Sequence, residues 1–275
     1  MAVVTGISAG IGLVTAAALV QRGWRVIGLV RDPARGEAAA RTIAQQAGGA
    51  APELVIGDLA SLASVRTAAA EIARRTDRLQ VLVNNAGALI ATRRLSADGH
   101  ELTLAGNHLG PFLLTHLLLP ALERGAPARI VNVSSRMHEL IDDMQWDDLQ
   151  LERRYGAMRA YAHSKLANIL HVRELARRLD PARVTANAVH PGGVRTRLGT
   201  GNGLAYRIAM KIAGLFMTSP ERGADTSIWL AADPEPQGRT GGYWYRRRAG
   251  QPSPAARSDA GAARLWALSE TLCRI

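Results

Sequence analysis

The segment YAHSK, at positions 161–165, places a phenol four residues before an ammonium, and helical spacing would put both groups on one face. An unperturbed tyrosine has a pKa of about 10, so Tyr161 alone would be a poor base near neutrality. A positive charge one helical turn away favours the phenolate. Of the 34 basic residues, only Lys165 and Lys211 are lysines. Because arginine keeps its proton and carries a broad planar fork, a lysine here indicates a need for a compact ammonium.

A glycine-rich turn, TGISAGIG at 5–12, follows the first predicted strand and opens the first predicted helix. Gly6, Gly10 and Gly12 are spaced for a tight turn, a close backbone approach and packing of the helix on the strand. Such a turn directs backbone N–H groups and the positive end of the helix at a pyrophosphate. The turn therefore predicts a dinucleotide site.

The residues that end the second predicted strand bear on the choice of dinucleotide. A carboxylate there would accept the ribose hydroxyls of NAD, whereas a nearby arginine would pair with the 2′-phosphate of NADP. Val30 occupies the position of the carboxylate and Arg31 follows it, so we expect a preference for NADPH over NADH. Asp32 leaves NAD as an alternative, because a shift of one residue would restore a carboxylate at this position.

The elements that must position these residues alternate along the chain. Short β-branched runs are separated by stretches of helical periodicity at 11–22, 61–76, 99–123 and 158–179, which predicts crossover connections and a parallel sheet. Apolar runs without polar alternation are typical of strands covered on both faces. We therefore expect one α/β domain over 1–275, with a single doubly wound (Rossmann-type) parallel sheet of about seven strands and helices on both faces. The predicted strands are AVVT (2–5), RVIGLV (25–30), ELVIG (53–57), LQVLVN (79–84), ARIVNVS (128–134), RVTANAV (183–189) and GGYWY (241–245).

Composition excludes several classes of function. A single cysteine, Cys273, allows no internal disulfide and fits a reducing compartment. The apolar stretches are much shorter than the ~20 residues that span a bilayer, and the N-terminus lacks the pattern of a signal peptide. The net charge of +11 comes from scattered arginines rather than one basic patch, and the histidines show no metal-ligand spacing. We expect a cytoplasmic protein without a membrane span, a metal site or a nucleic-acid partner.

Seven motifs follow one another in an order that resembles the short-chain dehydrogenase/reductase family. The similarity covers nearly the whole chain, and the C-terminal segment from GGYWY onward is similar to the retinol-dehydrogenase-like branch, which includes bacterial ketoreductases acting on polyketides. The resemblance implies an oxidoreductase that interconverts carbonyls and alcohols. The motifs are TGISAGIG (5–12), GDLAS (57–61), NNAG (84–87), NHLG (107–110), NVSS (132–135), YAHSK (161–165) and HPGGVRT (190–196).

The same resemblance implies four catalytic residues. Tyr161 would protonate the carbonyl oxygen during reduction, or act as the base in the reverse direction, and Lys165 would favour its phenolate and bond the nicotinamide ribose. Ser135 would donate a hydrogen bond to the substrate oxygen, where negative charge develops; Ser134 is the alternative for this role. Asn107 matches the helix asparagine that helps to hold a proton-relay water.

The cofactor site implied by the resemblance draws on six parts of the chain. The first turn would hold the pyrophosphate, residues 58 and 59 would flank the adenine, residues 85–87 would form a backbone wall, and the turn from 191 would contact the nicotinamide carboxamide. For Asn85 and Asp58, capping of a strand end is an alternative role. The implied residues are Gly6, Ser8, Gly10, Ile11, Gly12, Arg31, Asp58, Leu59, Asn85, Ala86, Gly87, Tyr161, Lys165, Pro191, Gly192, Val194 and Thr196.

A segment at 197–219 is a candidate substrate lid because it follows the nicotinamide-contacting turn. Apolar residues recur there at helical spacing, and glycines before them could act as hinges. Such a stripe could bury a bulky, mostly apolar ketone, aldehyde or alcohol, or it could pack on the protein's own core or on a second subunit of a homo-oligomer. The alternatives in function are an NAD-dependent alcohol dehydrogenase and a non-catalytic NAD(P)-binding regulator of the same fold. The stripe and its hinges are Leu204, Ile208, Ile212 and Leu215, with Gly199, Gly201 and Gly203.

Overall fold

The computed structural model describes residues 1–194 and 218–275. Within them, eight strands form one sheet, in the order 3-2-1-4-5-6-7-8 by position along the chain. All neighbouring strands in this order are parallel except the last pair, the seventh and eighth strands, which are antiparallel. The strands are β1 (Ala2–Thr5), β2 (Val26–Val30), β3 (Glu53–Ile56), β4 (Val81–Asn84), β5 (Ala128–Val133), β6 (Val184–Val189), β7 (Tyr243–Tyr245) and β8 (Arg248–Ala249).

Helices cover both faces of this sheet. The described helices are α1 (Gly10–Gln21), α2 (Pro33–Ala47), α3 (Leu62–Arg75), α4 (Leu102–Leu104), α5 (Gly110–Arg124), α6 (Ala157–Arg178), α7 (Pro220–Ala232) and α8 (Asp259–Cys273), with a π-helical turn at Ala105–Leu109 and 3₁₀ turns at Arg136–Leu140 and Ala255–Arg257. One face packs against α1, α2 and α7, and the other against α3, α5, α6 and α8. Strands β1, β2, β4 and β6 are buried along their whole length, as their apolar runs predict.

The doubly wound α/β fold predicted from the sequence is confirmed, with one addition. The seven predicted strands are present with bounds that differ by at most two residues. The sheet has an eighth strand, β8, which the sequence did not predict because it contains only two residues. It follows a tight turn in which Arg246 and Arg247 have positive φ angles of 50° and 59°. This antiparallel strand corrects the expectation of an entirely parallel sheet.

The helix predicted over 99–123 begins later and is irregular. Gly99 has a φ of 83°, outside the helical region. The buried carboxylate of Glu101 accepts hydrogen bonds from the N–H groups of Thr103 and Leu104, at 2.8 and 2.7 Å, and so fixes the helix start at Leu102. A π-helical turn then separates α4 from α5. Such turns are frequent at functional sites, and this one contains Asn107.

The topology determines where a ligand can bind. Strand order reverses between β1 and β4, which are neighbours in the sheet although β2 and β3 lie between them in sequence. In sheets of this type, ligands bind outside the carboxyl ends of the strands at that reversal. The glycine turn follows β1 and the NNAG segment begins at the end of β4, so the fold brings these two motifs to the same crevice. Among the described residues, no helix has the length and apolar character needed to cross a bilayer.

Candidate active site

The turn after β1 is shaped for a close backbone approach. Gly6 and Gly10 have φ angles of 73° and 61°, a region that glycine enters without steric cost. A Cβ atom on Gly12 would lie 2.4 Å from the carbonyl oxygen of Gly6, so the turn and α1 pack too closely for any side chain there. No side chain caps the N-terminus of α1, whereas side-chain oxygens of Asp32, Ser61, Ser219 and Ser258 cap α2, α3, α7 and α8. The N–H groups at the start of α1 therefore fit an anion such as a pyrophosphate.

Thr5 joins this turn to the segment after β4. Its Oγ1 accepts hydrogen bonds from the N–H groups of Asn85 and Ala86, both at 2.9 Å. The side-chain amide of Asn85 donates to the Thr5 carbonyl at 2.8 Å. Asn85 therefore has the capping role that the sequence left as an alternative. Thr5 was not among the predicted site residues, although it opens the first motif.

Asp58 also caps a turn. Its Oδ1 accepts the N–H of Ala60 at 2.9 Å, while its own N–H donates to the Ser64 hydroxyl at 2.9 Å. Leu59, the other residue predicted to flank the adenine, is buried. A Cβ on Gly110 would lie 2.0 Å from the Leu59 carbonyl oxygen, so the start of α5 fixes the path of this loop.

The charges after β2 have separate roles. The Asp32 carboxylate accepts the N–H of Arg35 at 3.1 Å and caps α2, and Pro33 occupies the first turn of that helix. Arg31 is exposed, and no ion pair engages it within the described part of the chain. Val30 is the last residue of β2 and is buried. Asp32 is thus committed to the backbone of α2, and Arg31 is the charged group left at the end of β2.

Tyr161 and Lys165 lie together on α6, beside the end of β5. They are only 8% and 2% exposed, and the Lys165 Nζ lies 5.4 Å from the centre of the Tyr161 ring. The same Nζ donates a hydrogen bond to the Val133 carbonyl at 2.9 Å, and Asn168 donates to that carbonyl at 3.3 Å. Burial lowers the pKa of Lys165 to about 8, because an interior position disfavours the charged form. The pair is therefore a poorly solvated cation held against a phenol.

The two serines after β5 differ in whether the hydroxyl group already donates its proton within the fold. The Ser134 hydroxyl is buried and donates to the Lys165 carbonyl at 2.7 Å, so its proton is used inside the fold. The Ser135 Oγ accepts the N–H of Met137 at 3.2 Å, which caps the 3₁₀ turn at Arg136–Leu140. Accepting this bond leaves the Ser135 hydroxyl proton available to a substrate oxygen. The geometry favours Ser135 over Ser134 as the donor.

Asn107 is fixed from both ends of its side chain. Its amide nitrogen donates to the Ala88 carbonyl at 2.8 Å and to the Ser164 hydroxyl at 3.0 Å, and its Oδ1 accepts the Ala88 N–H at 2.7 Å. Ser164 in turn donates to the Tyr161 carbonyl at 2.7 Å. A Cβ on Gly87 would lie 3.3 Å from Lys165 Nζ and 3.5 Å from Asn107 Oδ1. Asn107 therefore links the loop after β4 to α6, a contact the sequence did not predict.

The turn after β6 is close to the glycine turn. Gly192 has a φ of 81° and donates its N–H to Nδ1 of His190 at 3.1 Å. Val194 is paired with Thr218 in a parallel bridge and packs with Ile11 of α1 in one small apolar cluster. Thr196 lies outside the described residues, as does the predicted lid at 197–219 except for its last two residues.

The fold thus brings the predicted residues that the structure describes to the carboxyl ends of β1 to β6, together with the π-helical turn and α6. Within residues 1–194 and 218–275, no group of three or more His, Cys, Asp or Glu side chains could hold a metal ion.

Comparisons with known proteins show which proteins this chain resembles in sequence and fold. A family model described as short chain dehydrogenase matches residues 1–146. Retinol dehydrogenase 14 of Mus musculus is 42% identical, over 99% of this chain and 85% of its own length. The fold is similar to the crystal structure of an uncharacterized protein from Mycobacterium paratuberculosis, with a TM-score of 0.78, 33% identity and coverage of 99% of this chain and 92% of that one. It is also similar to a blue fluorescent protein from a metagenomic library, solved in complex with NADPH, with a TM-score of 0.68, 27% identity and coverage of 88% and 94%.

We predict that Lys165→Met does not destabilise the cofactor-free protein at pH 7. The folded pKa of about 8 lies below the ordinary lysine value of 10.5. The unfolded chain therefore binds the proton more readily, and the wild type gains stability as pH rises from 8 to 10.5. Removing the buried charge should raise the free energy of unfolding at pH 7 by about 1–3 kcal/mol, while the Val133 carbonyl keeps its bond from Asn168.

Urea unfolding of both proteins at pH 7, 8.5 and 10 measures this effect. The gap between variant and wild type should narrow as pH rises. A variant at least 2 kcal/mol less stable at pH 7 would contradict the account of Lys165 as a charge that burial disfavours.

Proposed function

The chain belongs to the short-chain dehydrogenase family and is an oxidoreductase, and on that premise we propose that it interconverts a carbonyl and an alcohol on a bulky, mostly apolar substrate, using NADP(H). Tyr161 is the general acid during reduction and the general base during oxidation. One observation carries the proposal: the phenol of Tyr161 and the ammonium of Lys165 are buried together, 5.4 Å apart from ring centre to Nζ.

Three side chains divide the work at the substrate oxygen. Bound NADP(H) supplies the hydride to the carbonyl carbon, or accepts it from the alcohol. Tyr161 donates its proton to the oxygen, and the Ser135 hydroxyl donates a hydrogen bond to the same atom as negative charge develops there. Lys165 stabilises the phenolate that Tyr161 becomes.

The cofactor would be held by the crevice between β1 and β4. The N-terminus of α1, with the turn that Gly6 and Gly10 permit, would hold the pyrophosphate. Arg31 would pair with the 2′-phosphate of NADP, because Asp32 is committed to the cap of α2. A protein of similar fold was solved with NADPH, which supports this choice. The rest of the proposed cofactor site comprises Ser8, Ile11, Gly12, Asp58, Leu59, Asn85, Ala86, Gly87, Pro191, Gly192, Val194 and Thr196.

Exposed apolar side chains near the catalytic pair support an apolar substrate. Leu140 is 61% exposed and ends the 3₁₀ turn that follows Ser135. Met158 is 46% exposed and lies three residues before Tyr161, on the same face of α6. These two side chains follow Ser135 and precede Tyr161 in the chain, and contacts with an apolar ligand would cover them. The relative from Mus musculus is a retinol dehydrogenase, which agrees with a substrate of this class.

Two alternatives are distinguished by experiment. A non-catalytic NAD(P)-binding regulator of the same fold would need the crevice but not the buried acid and its lysine, and an NAD-dependent alcohol dehydrogenase would differ only at the end of β2. The cytoplasmic location and the homo-oligomer stay predictions.

The catalytic assignment predicts that Tyr161→Phe abolishes turnover while the dissociation constant for NADPH changes less than about threefold. Lys165→Arg should lose at least about a hundredfold in kcat, because the Nζ donates to a buried carbonyl beside Gly87, in a position that a planar fork would not reproduce. Loss of NADPH absorbance with a panel of ketones and aldehydes measures kcat.

Tyr155→Phe is the matched control, since the Tyr155 hydroxyl is committed to the Ile90 carbonyl at 2.7 Å, and it should keep kcat within about threefold. Near-normal turnover by Tyr161→Phe on a good substrate would show that Tyr161 is not the acid. No turnover by the wild type on any carbonyl, with tight NADPH binding, would favour the regulator.

The cofactor assignment predicts tighter binding of NADPH than of NADH. Arg31→Ala should weaken NADPH by about 1–3 kcal/mol, the value of a hydrogen bond to a charged group, and leave NADH nearly unchanged. Calorimetric titration of each cofactor measures both constants, with Arg41→Ala as a control that removes an exposed arginine further along α2. Equal affinities of the wild type for NADPH and NADH would contradict this assignment without affecting that of Tyr161.

The substrate assignment predicts that kcat/KM for polycyclic or long-chain carbonyls exceeds that for acetone-sized ones by well over tenfold. Met158→Glu should lower kcat/KM for the bulky substrates about tenfold and for the small ones less than threefold, because it places a charge on the apolar surface. Ile275→Glu is the control, since Ile275 is also exposed but lies at the C-terminus. A preference for small polar carbonyls would overturn the substrate class and leave the reductase standing.

A further inference from the structure

His138 lies fully buried in the 3₁₀ turn that begins after Ser135, and both of its ring nitrogens are engaged. Nδ1 lies 2.7 Å from the Ser135 carbonyl oxygen, which can only accept, so Nδ1 carries the proton. Nε2 accepts the N–H of Ser253 at 3.1 Å. The two partners require a single neutral tautomer, with the proton on Nδ1.

The two bonds connect distant parts of the chain. Ser253 lies in the C-terminal segment, between β8 and the 3₁₀ turn at Ala255–Arg257, and is 115 residues from His138. The imidazole also meets the Tyr243 ring edge-on at 5.2 Å, and Tyr243 stacks on His190 with ring centres 5.6 Å apart. The turn that follows β5 is thus attached, through one side chain, to the start of β7 and to the segment after β8.

The Ser135 carbonyl is the atom group that His138 holds in place. It accepts from His138 twice, from the ring at 2.7 Å and from the backbone N–H at 3.2 Å. The Ser135 Oγ accepts the N–H of Met137 from the same turn. Both oxygens of Ser135 are therefore fixed by a turn whose geometry depends on the imidazole, and its hydroxyl proton is the part left free.

We propose that His138 is a positioning residue for Ser135: its Nδ1–H fixes the serine backbone, and the bond that Nε2 accepts from Ser253 keeps the imidazole proton on Nδ1, a role that an amide N–H at the same place does not need. The inference rests on the proposed function, in which Ser135 donates to the substrate oxygen. A donor displaced by about 1 Å from the developing charge loses much of its effect on the transition state, so the loss should fall on kcat.

Two amide substitutions at position 138 each keep one of the two hydrogen bonds and remove the other. His138→Asn can place an amide N–H at the position of Nδ1 and keep the bond to Ser135, whereas His138→Gln reaches the position of Nε2 and keeps an acceptor for Ser253. On the best carbonyl substrate, His138→Asn should keep kcat within about threefold, and His138→Gln should lose about tenfold or more. The KM for NADPH should change less than about twofold in both.

Combination with Ser135→Ala tests whether His138 acts through the serine. Ser135→Ala should lower kcat about a hundredfold, and adding His138→Gln should lower it less than about twofold further, because there is no hydroxyl left to position. Hydrogen exchange of residues 135–140 gives a readout without substrate: it should be faster in His138→Gln and unchanged in His138→Asn.

The outcomes distinguish this inference from the proposed function. Full turnover by Ser135→Ala would remove the serine from the mechanism and overturn this inference with it. A normal loss in Ser135→Ala, together with equal kcat values for His138→Asn and His138→Gln or with independent losses in the double variant, would overturn the role of His138 alone. If His138→Gln does not fold, the hydrogen exchange and kcat of His138→Asn still test the proposal. A tenfold loss of kcat in His138→Asn would contradict it.

Discussion

The ammonium of Lys165 is the constraint on which the rest of the site depends. It is 2% exposed, and within the described part of the chain no carboxylate forms an ion pair with it. Its partners are the Val133 carbonyl and the face of Tyr161. A cation placed this way disfavours folding, but the same lack of an anion means that a phenolate formed beside it is strongly stabilised. The buried ammonium of Lys165 is therefore the origin both of a loss of folding stability and of the stabilisation of the phenolate.

Hydrogen bonds between the ends of neighbouring strands keep the surroundings of this charge in place. Thr5 at the end of β1 accepts from both N–H groups that follow β4. Asn107 in the π-helical turn fixes the next residues of that loop and reaches Ser164 on α6. The ends of β1 and β4 and the helix of Tyr161 therefore form one hydrogen-bonded unit. A ligand in the crevice meets a surface that is already ordered, which lowers the entropy lost on binding.

The sequence predicted those parts that periodicity and residue chemistry determine. Apolar runs located seven strands, and the Tyr161–Lys165 spacing located the buried pair. The π-helical turn at Asn107 was not predictable, since its residues have the same apolar spacing as an α-helix. The roles of Thr5 and His138 depend on contacts between residues 80 and 115 positions apart, which local patterns do not encode. For Asn85 and Asp58 the sequence left capping open, and the structure contains those caps.

In the described part of the chain, Lys165 and the ion-paired arginines lie in different surroundings. In the part of the chain that the structure describes, the ion pairs use arginine, on side chains that are at least one quarter exposed. Guanidinium groups are retained where several acceptors and water can satisfy five N–H donors. The described contacts of the Lys165 Nζ are one carbonyl and the face of a ring, which suit a compact ammonium better than a planar fork. A compact ammonium therefore fits the described surroundings of position 165 better than a guanidinium would.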